Sequence, residues 1–451
     1  MLEIQSTYHR SAARNKFICL LLIILLSIVI RIFYSSLVDY SVLGPSGLGD
    51  QQFYYSTAFS IRESGSYAYD GLDTFYRPPL YSYFISLFYS PRDSAWVRNV
   101  LFAQSLLTYA SSACFFIALR GIISFRARLA WLGIWLIFPF SFFLDHLSLP
   151  ESVYTSLLLL ILSSCLVAGN QIKRVYLSYV IYALIGALLG ALTLIREIFV
   201  LYPFLLFPSL LYWTGYSFLR SLRLLFVSSV LMLLIISPWI IRNYQILPNS
   251  PPFISKGISG GSLFVGTWLA GKNEWSTDYA KELPQKAFEL IRVDPSFVAE
   301  AFKKRDDVSL RKFAIEAIVN HPFKVARNWL TRSVDMWVGT RSDLTLFKLS
   351  PSGISWFVLK AFLGLSDILL LIGSTLSIAS FVFFWKSRWA ILLASLPIYN
   401  FFIYLPFYSI ETRYSHPSLP VLFLFFILIL FKFSFNNPFQ TFKSMLNRIN
   451  L

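Results

Sequence analysis

Charged residues are scarce in this chain. Aspartate, glutamate, lysine and arginine make up only 14% of its 451 residues, whereas hydrophobic residues make up 56%. A soluble globular domain has roughly 25% charged and ~45–50% apolar residues. The scarcity of charge therefore excludes a soluble globular protein and predicts an all-α polytopic membrane protein.

Cysteine is scarce too, with three residues at positions 19, 114 and 165. All three lie in apolar segments, where a lone cysteine usually behaves as a small hydrophobic residue. We therefore expect no disulfide and no metal–thiolate site. His146, His321 and His416 have no ligand-like spacing, so the sequence predicts no metal site. The sequence establishes no cofactor, and whether a divalent metal ion binds is left open.

The common catalytic motifs are missing. The chain has no G-x-S-x-G, no H-E-x-x-H, no Walker A sequence and no dinucleotide fingerprint. GISGG at 257–261 follows no predicted strand and opens no predicted helix, so it is interpreted as a flexible turn. Chemistry in this chain has to rely on carboxylates and arginines, which suits displacement at a phosphate-activated carbon.

The net charge of +16 raises the question of a nucleic-acid partner. The basic residues are spread singly over short loops and one hydrophilic segment, without a basic stripe carrying aligned aromatic residues. They are better explained as topology signals and as contacts with membrane lipids. We expect no nucleic acid as a partner.

Apolar runs near the ~20 residues that cross a bilayer predict about ten spans, within a range of 9–12. They fall at 17–38, 96–119, 128–145, 152–169, 176–194, 198–215, 224–241, 356–384, 390–407 and 416–433. Arg10, Arg14 and Lys16 precede the first run, and because no small-residue cleavage site follows, we interpret it as a retained span.

Lysine and arginine in the short linkers predict the orientation. They occur at Arg120, Arg126, Arg128, Lys173, Arg174, Arg220, Arg223, Lys386, Arg388 and Lys432. The positive-inside rule places these linkers and both termini in the cytoplasm. The notable carboxylates then all lie in loops on the outer face. A transporter needs ionisable groups near the middle of its spans, so the one-sided pattern disfavours transport.

Three regions are predicted along the chain. Residues 1–241 form an N-terminal transmembrane catalytic module with an outer loop at 39–95, residues 242–355 an outward-facing helical segment, and residues 356–451 the C-terminal spans and a cytoplasmic tail. Within the middle region, apolar residues at helical spacing predict one helix after Asp307, ended by His321-Pro322, and another at 323–338. These helices either lie on the membrane body or form a small domain.

Candidate site residues concentrate beside the first span. The stretch 49–84 holds Asp50, Arg62, Glu63, Asp70, Asp73 and Arg77. Asp50 either shares a cavity with Glu151 and Arg77 or caps a helix over 51–64, and both readings stay open. Arg196, Arg242 and Arg413 lie near the outer ends of spans, where an arginine either binds a phosphate or snorkels to lipid headgroups.

Four stretches, taken in order, resemble one family. They are GDQQFYYSTAFSIRESGSY with YRPPLYSYF, LSLPESVYTSLLLL, SPWIIRNYQI and ETRYSHPSLPVLFL. In this the chain is similar to the GT-C glycosyltransferases that use polyprenyl-phosphate sugars, in particular the group of protein O-mannosyltransferases and lipid A aminoarabinose transferases. The likeness covers about residues 15 to 430 and implies a GT-C-like helix bundle.

The resemblance also implies roles for individual residues. Asp50 matches the catalytic aspartate that acts as general base, and Glu151 matches an acid that assists it. Arg77, Arg242 and Arg413 match basic positions that bind the donor phosphate. Gln51 departs from the Asp-Glu pair of many mannosyltransferases, which weakens that assignment. The expected substrate-binding residues are Tyr54, Tyr55, Tyr81, Arg196 and Tyr414.

The function expected from this resemblance is glycosyl transfer. An integral membrane enzyme would move a sugar from a polyprenyl-phosphate donor to a lipid, glycan or protein acceptor at the outer, periplasmic face, with inversion. A surface-polysaccharide polymerase or ligase and a sugar-lipid flippase are the alternatives. The expected location is the inner (plasma) membrane of a bacterium.

Overall fold

The fold is almost entirely helical. The computed structural model describes residues 2–37, 50–90, 96–170, 174–248, 254–255, 260–269, 285–304, 306–337, 354–407 and 412–435. Its apolar helices confirm an all-α integral membrane protein. The helices of the membrane body are α1 (Leu2–Leu37), α4 (Trp96–Ala118), α5 (Phe125–Ile137), α6 (Pro139–Asp145), α7 (Glu151–Asn170), α8 (Val175–Thr193), α9 (Pro203–Thr214), α10 (Phe218–Ile246), α15 (Ile354–Phe384), α16 (Arg388–Tyr404) and α17 (Leu419–Phe435).

Six stretches of the described helices are long and apolar enough to cross a membrane, and seven if α5 and α6 count as one span. These two helices meet at a bend of 54°. The bend falls where Pro139 begins α6, because proline has no N–H to continue the hydrogen-bond ladder of the preceding helix. The count of ten spans stays a prediction.

The expected span at 198–215 is divided. A 3₁₀ helix (Glu197–Leu201) precedes α9, which has only 12 residues. Pro203 begins α9, since proline is favoured at the first position of a helix. The short 3₁₀ segment keeps Arg196, the residue before it, at the end of the bundle.

The first loop folds against that end of the bundle. It contains α2 (Asp50–Ser64), the antiparallel strands β1 (Ala68–Tyr69) and β2 (Leu72–Asp73), and α3 (Leu80–Ser86). The hairpin turn uses Asp70 and Gly71, both at positive φ, as a two-residue hairpin loop of the mirror-image type requires. The backbone N–H of Leu80 donates to the carbonyl of Leu194, 2.9 Å away, which fixes the loop to the end of α8.

The middle region forms a helical unit with a hydrophobic core of its own. Its elements are α11 (Gly260–Trp268), a 3₁₀ turn (Gln285–Ala287), α12 (Pro295–Lys303), α13 (Asp307–Asn320), α14 (Pro322–Ser333) and a 3₁₀ turn (Val334–Met336). Phe264, Phe313, Ala317 and Val325 pack together there, apart from the core of the membrane body. The unit also contacts that body, because Arg332 donates 2.8 Å to the carbonyl of Leu405. The unit therefore has its own core, as a small domain would, and also contacts the membrane body, as helices lying on that body would.

The predicted helices of this unit are confirmed, with two changes at their ends. Asp306, not Asp307, caps α13 by accepting from the backbone N–H of Ser309. The helix predicted at 323–338 begins at Pro322 and gives way to the 3₁₀ turn after Ser333. Trp329 on this helix donates to the carbonyl of Gly266 at 3.0 Å, so it packs within the unit.

The interpretation of GISGG as a turn that opens no helix was wrong at its last two residues. Helix α11 begins at Gly260, and its buried face includes Phe264 and Trp268. A Cβ at Gly260 would overlap the carbonyl oxygen of Asp307. A nine-residue helix depends on tertiary packing rather than on intrinsic propensity, so this helix was not visible from the sequence. Residues 257–259 lie outside the described residues.

Candidate active site

Asp50 accepts hydrogen bonds from two arginines. Its Oδ1 lies 2.7 Å from Nη2 of Arg77, and its Oδ2 lies 3.2 Å from Nη2 of Arg413. The residue is also the first of α2, and its role as a helix cap stays a prediction. Its side chain is 19% exposed and can therefore be reached from outside the protein.

The two arginines, together with Arg196, control the charge of Asp50. Burial alone would raise the pKa of its carboxyl group, but Arg77, Arg413 and Arg196 together hold that pKa well below its usual range. Asp50 is therefore a carboxylate at neutral pH. With both arginines in place it is a weak base, because basicity falls with the pKa of the conjugate acid.

Arg77 is held by the folded loop. Its backbone carbonyl accepts from the hydroxyl of Tyr67 at 3.0 Å, and its guanidinium lies over the ring of Tyr76, 5.0 Å from the centroid. The two prolines that follow it lead directly into α3. Restricted proline φ angles and these contacts keep the guanidinium directed at Asp50.

Glu151 lies deeper, as the first residue of α7. It is fully buried, and its Oε1 lies 3.7 Å from both Nη2 of Arg196 and Nη1 of Arg413. Neither of its oxygens has a hydrogen-bond partner among the residues that the structure describes. Arg413 therefore connects the two carboxylates. We call the set of Asp50, Arg77, Glu151, Arg196 and Arg413 the arginine–carboxylate cluster.

The cluster has an excess of positive charge. Three guanidinium groups face two carboxylates, which leaves one positive charge over. Guanidinium groups present planar donors that match phosphate oxygens. The arrangement can therefore bind an anion, and with Asp50 at its exposed side it can accept a proton beside that anion.

Aromatic residues form one wall of the cluster. Arg196 and Arg413 lie over the ring of Tyr414, at 5.3 and 5.2 Å from its centroid. The ring of Tyr404 stacks on the ring of Tyr414, with centroids 4.4 Å apart. Cation–π contacts of this kind hold guanidinium groups in place. Tyr414 therefore contacts the cluster directly.

Tyr54 adds a polar group from α2. It is fully buried, and its hydroxyl has no hydrogen-bond partner within the described ranges. Burial raises the pKa of its phenol, on which the charges of Arg77, Arg196, Asp50 and Glu151 also act. The hydroxyl thus stays protonated beside the cluster and can donate to a bound ligand.

Other candidate residues lie apart from this cluster. Arg242 pairs with Asp73 at 2.8 Å and donates to the carbonyls of Tyr67 and Thr74, which holds the hairpin of the first loop. The hydroxyl of Tyr55 bonds to Ser148, and that of Tyr81 donates 2.5 Å to Gln104. These three side chains are engaged in contacts that support the loops. Their binding roles stay predictions.

A second buried ion pair was not predicted from the sequence. Arg31 on α1 pairs with Asp145 at the end of α6, and the other oxygen of Asp145 accepts from Thr108 at 2.9 Å. The hydroxyl of Thr155 and Nδ1 of His416 lie nearby, 2.9 Å apart. Arg31 interrupts an apolar stretch, and an ionisable residue inside a span indicates a site or a partner. Arg31 within the first apolar run was therefore a signal for this ion pair in the sequence.

The cluster suits an anion better than a metal ion. Within the described ranges, no group of three histidine, cysteine, aspartate or glutamate side chains lies together as metal ligands. Asp50 and Glu151 are both contacted by arginines, whose positive charge would repel a cation. The residues present do not fit the divalent ion that stayed open above.

Comparison with known proteins gives likenesses of structure only. No family model and no curated protein matches the chain. The oligosaccharyltransferase of Archaeoglobus fulgidus in its apo form matches 96% of this chain and 52% of its own length, with a TM-score of 0.54 and 15% identity. The same enzyme tethered to an acceptor peptide matches 90% of this chain and 49% of its own, with a TM-score of 0.50 and 13% identity.

ArnT from Cupriavidus metallidurans bound to undecaprenyl phosphate aligns over 91% of this chain and 76% of its own length, at 14% identity. Its TM-score of 0.44 is too low to define a common fold. The chain spans about half the length of the oligosaccharyltransferase. That enzyme is a GT-C protein, and its likeness over nearly the whole of this chain confirms the GT-C fold predicted from the four motifs.

Proposed function

We propose that the chain is a glycosyltransferase that uses a polyprenyl-phosphate sugar as donor. The observation that carries this proposal is the pairing of Arg77 and Arg413 with one partly exposed carboxylate, Asp50, at the end of an apolar helix bundle. The oligosaccharyltransferase that shares the fold supports sugar transfer as the class of reaction. The specific donor rests on the sequence motifs and on the charge of the cluster.

The cluster binds the donor through its phosphate. A polyprenyl chain anchors the donor in the bilayer, which leaves the phosphate at the surface where the first loop lies. Arg77 and Arg413 then contact phosphate oxygens and stabilise the charge that develops on the leaving group. The proposed phosphate ligands are therefore Arg77 and Arg413, with Arg242 holding the loop.

Transfer proceeds by a single displacement at the anomeric carbon of the sugar. The acceptor hydroxyl oxygen forms a bond to this carbon while the bond from the carbon to the phosphate oxygen breaks, and the polyprenyl phosphate departs with the electron pair. The proton of the hydroxyl moves to Asp50 as general base. The configuration at the anomeric carbon is inverted.

Donor binding makes Asp50 a better base. The arginines that hold the pKa of Asp50 low are the groups that the phosphate engages. Because the phosphate brings negative charge beside the carboxylate, it offsets their field and raises the pKa of Asp50. Proton uptake by Asp50 is thereby coupled to the presence of the donor.

Glu151 positions the arginines rather than the acceptor. It lies behind Arg196 and Arg413 and is fully buried, so an acceptor approaching the exposed side of Asp50 does not reach it. Tyr54 and Tyr414, which face the same cluster, are the proposed contacts for the sugar. The acceptor supplies a hydroxyl and is a lipid, a glycan or a protein.

The active face is the outer one in this proposal. The basic linkers lie at the opposite ends of the helices from the cluster, which supports a periplasmic site and cytoplasmic termini in a bacterial inner membrane. Residues 1–241 then supply most of the catalytic groups and residues 356–451 supply Arg413. The unit within 242–355 covers the same face.

Sugar transfer in reconstituted vesicles tests the proposal. Wild type, Asp50→Asn and Glu63→Gln are incubated with a panel of radiolabelled polyprenyl-phosphate sugars and extracted membrane acceptors. Glu63 is an exposed acid of the same loop and serves as the matched control. We expect one donor to label an acceptor with wild type and Glu63→Gln, and no labelling with Asp50→Asn.

Two results would contradict the proposal. If Asp50→Asn transfers sugar as fast as wild type, Asp50 is not the general base. Movement of labelled lipid across the bilayer without transfer to any acceptor identifies a flippase instead.

A further inference from the structure

Arg413 lies on a short 3₁₀ helix, Thr412–Ser418, that leads into α17. We call it the 412–418 helix. A 3₁₀ helix has poorer hydrogen-bond geometry than an α-helix and is seldom longer than three or four residues. This one has seven residues and contains Pro417. Its own backbone is therefore a weak support, and contacts with neighbouring helices must hold Arg413 in place.

Two pairs of side chains join the 412–418 helix to α7. In the first pair, Nη1 of Arg413 lies 3.7 Å from Oε1 of Glu151. In the second pair, Nδ1 of His416 lies 2.9 Å from Oγ1 of Thr155. Of these two distances, only the second is that of a hydrogen bond. The contact between His416 and Thr155 is therefore the closer attachment to α7.

The spacing of the two pairs agrees with the geometry of both helices. His416 follows Arg413 by three residues, which rise about 6 Å in a 3₁₀ helix at ~2.0 Å per residue. Thr155 follows Glu151 by four residues, which also rise about 6 Å in an α-helix at ~1.5 Å per residue. Each helix thus presents two residues one turn apart on one face. Sliding of one helix along the other would separate both pairs together.

His416 is confined on its other sides. Its side chain is buried, and the centroid of its ring lies 5.3 Å from that of Trp135 and 6.1 Å from that of Phe140. The indole N–H of Trp135 donates to Ser112 of α4 at 2.9 Å, which fixes this neighbour. The packing therefore keeps Nδ1 of His416 directed at Thr155.

A shift of the 412–418 helix would change the contacts of Asp50. Nη2 of Arg413 lies 3.2 Å from Oδ2 of Asp50, at the long end of the range for a hydrogen bond. Asn400 attaches the helix to α16, donating to the carbonyl of Tyr414 at 2.5 Å and to Ser418 at 3.1 Å. His416 attaches it to α7. The distance from Arg413 to the carboxylates therefore depends on the second attachment.

We propose that the hydrogen bond between His416 and Thr155 positions Arg413 for its contacts with Asp50, Glu151 and the donor phosphate. Both are positioning residues, because they act through Arg413. The part that concerns the phosphate rests on the proposed function. The part that concerns Asp50 and Glu151 does not.

The kinetics of sugar transfer test the part that concerns the phosphate. Thr155→Val removes the hydroxyl and keeps the shape of the side chain, whereas Thr155→Ser keeps the hydroxyl. We expect Thr155→Val to raise KM for the donor about 3–10-fold, as loss of one hydrogen bond predicts, and Thr155→Ser to stay close to wild type. A variant that only folds less well contains less active enzyme, which lowers the maximal rate and leaves KM unchanged.

Tyr216→Phe is the matched control. It also removes one hydroxyl, which donates to the carbonyl of Ala168 at 3.0 Å near the other end of α7. Since this contact is remote from the 412–418 helix, the variant should keep the wild-type KM.

Thermal unfolding in detergent tests the contact with Asp50 without depending on transfer. Tm is measured for wild type, Thr155→Val and Tyr216→Phe, each with and without Asp50→Asn. Arg413 stabilises Asp50 only when it is held beside it, so Asp50→Asn should lower Tm less in Thr155→Val than in wild type or Tyr216→Phe. Such non-additivity is typical of residues that share a partner.

Three outcomes would overturn the proposal. A wild-type KM in Thr155→Val shows that Arg413 meets the phosphate without this hydrogen bond. Equal changes in Thr155→Val and Thr155→Ser show that packing, and not the hydroxyl, explains the effect. An equal loss of Tm on Asp50→Asn in all three backgrounds shows that Thr155 does not act on Arg413. If wild type transfers no sugar, the proposed function fails, and the comparison of Tm alone decides whether His416 and Thr155 position Arg413.

Discussion

Arg413 is the residue that connects the two carboxylates of the cluster, so its geometry is open to test. Its guanidinium reaches Asp50 with Nη2 and Glu151 with Nη1, whereas the compact ammonium of lysine cannot span both. We expect Arg413→Lys to lower the rate of sugar transfer by roughly 10–100-fold, since a hydrogen bond to a charged group contributes ~1.5–3 kcal/mol.

The matched control for Arg413→Lys is Arg62→Lys, at an exposed position of α2. Transfer rates are measured at saturating donor for both variants and for wild type. Wild-type transfer by Arg413→Lys would show that the bridge between the carboxylates is not needed.

Asp50 also predicts how stability varies with pH. Its pKa in the folded protein is held below the unfolded value of about 3.9. A group of this kind contributes stability that is fully present above its unfolded pKa and is lost as the pH falls toward its folded pKa. The difference in Tm between wild type and Asp50→Asn should therefore be constant from pH 8 to about pH 5 and narrow below about pH 4.

Thermal unfolding of the purified protein in detergent, followed at each pH, measures this difference. Glu63→Gln, whose side chain is exposed, is again the control and should match wild type across the range. A difference that already disappears near pH 6 would mean that Asp50 is not held ionised by its arginines.

At the scale of elements, α8 and α10 approach each other closely. The sequence GALLG at 186–190 of α8 faces α10, where a Cβ at Gly186 would overlap the backbone of Ser228. Small residues four apart allow such close packing of membrane helices. We expect Gly186→Ala to cost about 1–3 kcal/mol, as overpacking of a tight interface does, and to lower Tm by several degrees.

Gly133→Ala is the control for this pair of helices. A Cβ at Gly133 in α5 meets Ile23 at 3.6 Å, an ordinary contact, and alanine favours a helix more than glycine. This variant should match or exceed the wild-type Tm. Equal loss in both variants would mean that removal of any helical glycine, and not the α8–α10 contact, explains the effect.

Individual helices show which parts of the fold could be predicted from the sequence. The apolar periodicity of α13 and the break at Pro322 were predictable, because amphipathic spacing and proline act locally. Helix α11 was not predictable, since its buried residues are stabilised by contacts with α13 and α14. Likewise Arg31 and Asp145 are 114 residues apart, and no local pattern pairs them.

In the candidate site, too, some features could be predicted from the sequence and others could not. The motifs singled out Asp50, Arg77, Glu151 and Arg413, which the fold brings together. They also singled out Arg242, whose guanidinium the fold directs to the hairpin of the first loop. Local sequence identifies polar residues near span ends, but the direction of each side chain depends on packing between distant segments.

At the scale of the whole molecule, the helical unit at 260–337 is joined to the membrane body through Arg332. Its guanidinium donates to the carbonyls of Gly266 and Leu269 within the unit and of Leu405 at the end of α16. Burial lowers the pKa of Arg332 to about 10, so it remains charged at neutral pH. One side chain thus satisfies three buried carbonyls.

Arg332→Lys should loosen this junction, because an ammonium cannot reach all three carbonyls in the same geometry. We expect faster amide hydrogen exchange in α11, α14 and the end of α16, and unchanged exchange in α7 and α8. Arg327→Gln, exposed on the same helix, is the control. Unchanged exchange in Arg332→Lys would show that the unit is held by other contacts.

In the proposed function, Asp50 and its arginines transfer a sugar from a lipid phosphate. The most direct test measures, in one vesicle preparation, both donor binding and sugar transfer by wild type, Asp50→Asn and Asp50→Glu. We expect Asp50→Asn to bind donor at least as well as wild type, because a negative charge beside the phosphate is removed. It should nevertheless transfer about 1,000-fold less sugar, as loss of a general base predicts. Asp50→Glu should keep partial transfer. Transfer by Asp50→Asn at the wild-type rate, with donor binding intact, would contradict the proposed function.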